Sequence, residues 1–291
     1  MSGTVCGWRA VGGTRVFFGA LAAAFFCLLV LAGCSDEPEE PEGDYTFEVG
    51  GVKFDMVYVK GGTFTMAVEC EFAVYTNECP AHQVTLSSYY ITKYEVTQEQ
   101  WVAVMGSNPS YFRSSVKLPV EGISYIDIPP FMSALNNKTG GWLGKQYRLP
   151  SEAEWEFAAK GGTKSLGYTI AGAPDDRVDE VMWHRFNSNN ETHPVGQKLP
   201  NELGIHDMTG NVWEWVNDWY SGYKKEPVTN PVGPSIGEYR IYRGFGFKNG
   251  RTVRITRRVY AAPEISFNDV GFRIVISSPP IELIEEARRE Q

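Results

Sequence analysis

From Trp183 to Ile276 the chain offers short apolar pairs separated by Asn, Gly and Pro, with little 3.6-residue periodicity. Loops and short extended segments must therefore carry this half. The 30 glycines and 17 prolines are spread through 291 residues without a repeat, so neither a collagen-like nor a low-complexity chain is in view. An apolar content of 43% is enough to bury the core of one large domain or two small ones.

The N-terminal segment has a different character. Arg9 and Arg15 precede an uncharged stretch from Phe17 to Gly33, the layout of a basic n-region and apolar h-region of a secretory signal. It closes on Leu31-Ala32-Gly33-Cys34, which resembles a bacterial lipobox, where the cysteine is acylated and becomes the mature N-terminus. A spanning anchor is the other reading, at the lower edge of the necessary length, although a small-small-Cys ending serves no purpose in one. Lipidated Cys34 implies membrane attachment through its acyl chains, as an outer-membrane lipoprotein on the cell surface or facing the periplasm. Next comes Ser35-Asp36-Glu37-Pro38-Glu39-Glu40-Pro41-Glu42-Gly43-Asp44, acidic with no base, which stays extended because it cannot collapse. At about 3.1 Å per residue it reaches roughly 30 Å. It is a solvated spacer, or a counterpart of the acidic surface-export signal that some lipoproteins carry.

The expected organisation is a signal at 1–33, a tether at 34–46, a folded domain at 47–277 and a charged helical tail at 278–291. Without Arg9 and Arg15, 27 basic residues become 25 against 35 acids, and no basic footprint for nucleic acid remains. Cys6 and Cys27 leave with the signal, so the domain keeps only Cys70 and Cys79. In an oxidising compartment a disulfide is the expected state, with about 2.5 kcal/mol of loop-closure stabilisation. A thiolate site for a soft metal such as Cu(I) is the alternative.

Within the domain, Phe54–Val59 and Thr63–Met66 flank Lys60-Gly61-Gly62 and read as a hairpin, followed by strand residues at Gln83–Leu86 and Tyr89–Ile91. Thr97 and Gln100 form a capping-box pattern before Trp101, Val104 and Met105, which share one helical face. Ser151 and Glu154 do the same before Trp155, Phe157 and Ala158. A shorter helix is expected over Phe131–Asn136, entered through Pro129-Pro130. His82, His184, His193 and His206 lack the spacing that puts two ligands on one helical face, so structural roles are expected.

Several segments then stand in one order: Met56-Val57-Tyr58-Val59-Lys60-Gly61-Gly62-Thr63-Phe64, Tyr94-Glu95-Val96-Thr97, and Arg148-Leu149-Pro150-Ser151-Glu152-Ala153-Glu154-Trp155-Glu156. Thr192-His193-Pro194-Val195-Gly196, Pro200-Asn201-Glu202-Leu203-Gly204, Met208-Thr209-Gly210-Asn211-Val212-Trp213-Glu214-Trp215 and Gly271-Phe272-Arg273 complete the set. Together they resemble the formylglycine-generating (sulfatase-modifying) enzyme family. The resemblance implies an α+β, C-type-lectin-related fold with little regular secondary structure. It also implies a structural calcium site on Asp207, the carbonyls of Gly210 and Val212, and Glu214, an oxygen-rich set that suits a hard cation. The alternative is that Asp207 caps a turn and Glu214 pairs with an arginine such as Arg243.

Enzymes of that family oxidise a substrate cysteine with O₂, using Cu(I) between two thiolates beside a Gly-Gly-Ser segment. Here the matching stretch is Arg243-Gly244-Phe245-Gly246-Phe247-Lys248-Asn249-Gly250-Arg251, and no cysteine follows Cys79. Copper is therefore not expected. What remains is a stretch rich in Arg and aromatics, and Tyr242, Phe245, Phe247, Asn249, Arg251, Arg254 and Tyr260 form the candidate ligand groove. Arg243, Arg258 and Arg273 are expected to be internal. The leading expectation is a non-catalytic module that binds a protein or glycan ligand or serves in assembly. Relatives with diversified C-terminal loops would place variable positions at Phe245, Phe247, Val253, Tyr260 and Ile265, among others. The alternative is an oxidoreductase of the formylglycine-generating type acting on a protein cysteine.

Overall fold

A computed structural model describes residues 43–278. The signal, Cys34, most of the tether and nearly all of the C-terminal tail lie outside the described residues. Its strands, in chain order, are β1 (Tyr45–Val49), β2 (Val52–Val59), β3 (Gly62–Met66), β4 (His82–Leu86), β5 (Tyr89–Thr92), β6 (Trp213–Trp219), β7 (Val228–Thr229), β8 (Arg240–Arg243), β9 (Val259–Ala261), β10 (Val270–Phe272) and β11 (Val275–Ser277). The α-helices are α1 (Gln98–Met105), α2 (Ile128–Thr139), α3 (Glu152–Ala159) and the single turn α4 (Val178–Val181). Among the described residues, regular structure begins at Tyr45, two residues before the expected domain start.

Three sheets result. One has the order β1-β2-β5-β11 and is antiparallel throughout, so the last described strand closes against the early ones. The second runs β10-β6-β8-β9, with β10 parallel to β6, and the third β3-β4-β7. The expected hairpin around Lys60-Gly61-Gly62 is not formed: β2 pairs with β1 and β5, whereas β3 pairs with β4. The chain changes sheets at Gly61, where a Cβ would lie 2.6 Å from the Leu86 carbonyl oxygen and 2.8 Å from the Ser88 nitrogen. Only glycine permits that approach of two backbones.

Strand β2 explains how two clusters of core residues share a sheet. Side chains alternate along a strand, so Phe54 and Met56 enter one cluster, whereas Val57 and Val59 enter the other. Trp101 of α1 stacks on Phe131 of α2, with centroids 5.0 Å apart, and both rings meet Phe272 edge-on. Trp155 and Phe157 of α3 fill the second cluster with Val216 and Ile241.

The helix starts follow their signals. Both capping boxes are formed, by Thr97 with Gln100 and by Ser151 with Glu154. Met105 is 37% exposed, so it leaves the face shared by Trp101 and Val104. Helix α2 is longer than expected because Pro129 and Pro130 occupy its first turn, where no intrahelical amide donor is needed.

Candidate functional site

Helix α3 brings its acidic residues to a buried cluster of arginines. Glu152 accepts from Arg258 Nε and Nη2 at 2.7 and 2.6 Å and from Arg243 Nη1 at 2.6 Å. One turn on, Glu156 accepts from Arg243 Nη2 at 2.6 Å and from Lys160 Nζ at 2.7 Å. Burial alone would raise both carboxyls, but Lys160 and Arg243 outweigh it at Glu156 and hold it near 2, and Arg258 and Arg243 lower Glu152. A second set joins Glu214 to Arg273 through two bonds of 2.7 Å, and Trp155 Nε1 donates to the same carboxylate at 2.6 Å. Arg243, Arg258 and Arg273 are thus all internal, as expected.

That arrangement bears on the anticipated calcium ligands. Both oxygens of Glu214 are committed to a guanidinium and an indole N–H, so the anticipated carboxylate ligand serves Arg273. Asp207 accepts from the Gly196 amide, and burial raises its carboxyl to about 6. Glu214 as assembled therefore serves Arg273 and Trp155 and not a metal cation, whereas Asp207 Oδ1 is buried with no hydrogen-bond partner. Glu214 does pair with an arginine, but the partner is Arg273 and not Arg243. Gly210 is held by sterics: at φ +96° a Cβ there would meet Met182 and the Trp183 carbonyl at 2.5 and 2.6 Å.

Copper does not fit. The sulfurs of Cys70 and Cys79 are bonded to each other, which removes the one pair of thiols in the domain. In the stretch that replaces the thiolate loop, Phe247 is fully buried and meets Phe112 edge-on.

The seven candidate groove residues do not converge on one open surface. Phe245 is 8% exposed and stacks on Trp213, and Phe247 is internal, so neither is offered to a ligand. Tyr242 is half-buried between Trp213 and Trp215, and burial raises its hydroxyl to about 12. The Asn249 side chain accepts from the Gly246 amide. Arg251 reaches Asp179 at 2.7 Å, whereas Arg254 donates to the Phe72 carbonyl at 3.1 Å. Tyr260 is exposed and packs against Tyr220. The sequence reading failed here because an Arg-aromatic run looks the same whether its side chains bind outward or brace the core. What it missed is that the disulfide loop joins the exposed part. Phe72, Val74 and Tyr75 are open to solvent, and the Arg257 guanidinium lies 3.4 Å over the Tyr75 ring.

The histidines hold structure. His184 is buried and bonds Asp179 at 2.6 Å, and His193 stacks on Trp183 with centroids 3.8 Å apart. His206 and His82 bond the carbonyls of Lys198 and Pro80.

The sequence reading also passed over a cavity of about 490 Å³ beside the start of α3, lined by Asp218, Arg258, Tyr223, His82 and the segment from Val228 to Pro234. Asp218 is buried and accepts from the Glu152 amide through Oδ2 at 2.9 Å. Burial, then the nearby Glu152 charge, push its carboxyl up to about 7.

A family model described as the sulfatase-modifying factor enzyme 1-like domain matches residues 49–278. The chain belongs to this family. Among curated relatives, Chaperone protein LppX of Paenibacillus barcinonensis is 36% identical over 242 residues, covering 67% of this chain and 79% of that protein. The formylglycine-generating enzyme of Streptomyces coelicolor is 32% identical over 196 residues. That match covers 60% of this chain and 59% of the enzyme, less than two thirds of its length. Among solved structures, Treponema denticola variable protein 1 aligns with a TM-score of 0.74 at 29% identity, over 82% of this chain and all of that one. The sulfatase-modifying-factor-like fold, α+β with short strands and few helices, is thereby established.

Proposed function

We propose that this member of the sulfatase-modifying factor family is a lipoprotein, anchored through Cys34, whose domain binds another protein and does not oxidise one. The observation that carries this reading is the fate of sulfur: the two cysteines of the domain are spent on each other, and the loop that would present copper ligands is braced by buried Phe247. The name of the LppX relative, a chaperone, supports a role in handling other proteins. The contact face is the exposed disulfide loop with Arg254, Arg257 and Tyr260, because aromatic and Arg side chains contribute most to protein contacts. A glycan ligand and an outer-membrane location belong to the same proposal.

The likeness to the Streptomyces enzyme favours the second reading, a formylglycine-generating oxidase. One experiment separates them. The mature chain, incubated with copper, O₂ and a peptide carrying Cys-x-Pro-x-Arg, is expected to yield no aldehyde by mass spectrometry, and aldehyde formation would overturn the proposal. Crosslinking on whole cells is expected to trap a protein partner that Tyr75→Ala with Arg257→Ala loses.

A further inference from the structure

Acidic side chains around the start of α3 are matched with cations almost everywhere. Glu152 has Arg243 and Arg258, Glu156 has Arg243 and Lys160, and Glu154 has Arg148 at 2.7 Å. Asp218 is the exception. It forms no ion pair among the described residues, and its Oδ1 takes no hydrogen bond there, although the residue is only 6% exposed. An unmatched buried carboxylate is costly unless a counter-charge arrives.

The cavity that Asp218 lines has the matching chemistry. Arg258, its buried cation, has four of its five N–H donors committed. Its Nε and Nη2 serve Glu152, and its Nη1 donates to the carbonyls of Asn77 and Ser221. An anionic ligand therefore finds at most one free N–H on that guanidinium, whose charge Glu152 already neutralises. At the rim, Lys224 and Glu226 offset each other in sign. Much of the wall, with Met66, Ala153, Val228, Pro231 and Val232, is apolar and suits an alkyl chain.

We propose that this cavity binds an alkylammonium group, with the aliphatic stem against Met66, Val228 and Val232 and the ammonium on Asp218 Oδ1. The site goes beyond the protein-contact face above and stands independently of it. The neighbouring charges act on Asp218 in both senses: Glu152 and Glu154 disfavour its ionised form and Arg258 favours it. With the free carboxyl titrating near 7, a cation that binds in neutral solution displaces a proton.

The test uses three isosteric probes on the mature chain in amine-free buffer: n-pentylammonium, n-pentanol and pentanoate. Calorimetry is expected to show saturable binding of pentylammonium with a Kd of roughly millimolar or tighter. It should come with proton release at pH 7 and be about tenfold or more stronger than binding of the alcohol or the anion. Asp218→Asn, whose amide oxygen still accepts from the Glu152 N–H, is expected to weaken the amine by about tenfold or more and leave the alcohol unchanged. Equal binding of all three probes, or preference for pentanoate, would overturn the proposal. So would an amine affinity unchanged in Asp218→Asn, or no saturation by about 20 mM, beyond the millimolar range allowed for so small a ligand. If Asp218→Asn fails to fold, probe selectivity in the native chain still decides.

Discussion

At Phe245 the backbone φ is +65°, a left-handed conformation that a bulky side chain adopts at a cost of about 1–2 kcal/mol. Glycine at this position would meet no such cost. Phe245 offsets the strain by stacking on Trp213, with centroids 4.8 Å apart, inside the core. Two substitutions separate these contributions. Phe245→Ala loses the packing and keeps a Cβ at positive φ, so urea denaturation is expected to show a loss of about 3 kcal/mol or more. Phe245→Gly loses the same packing but sheds the strain, and should be about 1 kcal/mol less destabilised. If glycine is the worse of the two, the strain at this residue is not real. Some of these residue-scale facts could be read from the chain and some could not. The internal arginines could be expected, since a turn-rich fold must brace its loops. The burial of Phe247 and the isolation of Asp218 could not, because each depends on neighbours far away in sequence.

Among the elements, α3 carries more than its eight residues suggest. Its capping box was visible in Ser151 and Glu154, since both partners lie within four residues, and so was its buried face. Its role as the counter-ion of the C-terminal half was not visible, because Glu152 meets Arg258 across 106 positions. The same limit explains the misplaced hairpin: alternation identified β2 and β3 as strands, but their partners were chosen by the approach of Gly61 to the turn between β4 and β5. Removing the Glu152 charge leaves buried Arg258 without its carboxylate and Arg243 with Glu156 alone, and breaking such a buried pair costs about 3–5 kcal/mol. Glu152→Gln is therefore expected to lower the free energy of unfolding by that amount, seen as a lower urea midpoint at an unchanged slope, whereas Glu99→Gln, which breaks an exposed pair with Lys117, should change stability by less than about 1 kcal/mol. Comparable effects from the two variants would mean that the cluster on α3 is not a keystone.

For the whole domain, the balance of matched and unmatched acids sets the pH dependence of stability. Glu156 is held near 2, so its contribution is complete above the ordinary carboxylate range and is lost as the pH falls toward 2. Asp207 and Asp218 run the other way. Their folded-state values, about 6 and about 7, lie above the unfolded ones, so their contribution is complete only below the ordinary carboxylate range and is lost as the pH rises from there through those values. Glu95, raised by burial and then by Asp207 and Glu214, and Glu121, raised to about 7 by burial, add to this slope. His206, which burial lowers, opposes it. Four raised acids against one lowered histidine give a domain whose stability peaks near the ordinary carboxylate range, at about pH 4, and falls by about 1 kcal/mol or more per pH unit between about 5 and 7. Urea midpoints at pH 5 and pH 7 in amine-free buffer measure this directly, and Asp218→Asn should shrink the difference. An alkylammonium that occupies the cavity should shrink it in the same way, by supplying at neutral pH the counter-charge that the fold leaves out. A midpoint that rises between pH 5 and pH 7 would mean that these acids are already compensated, and the case for an unmatched Asp218 would fall with it.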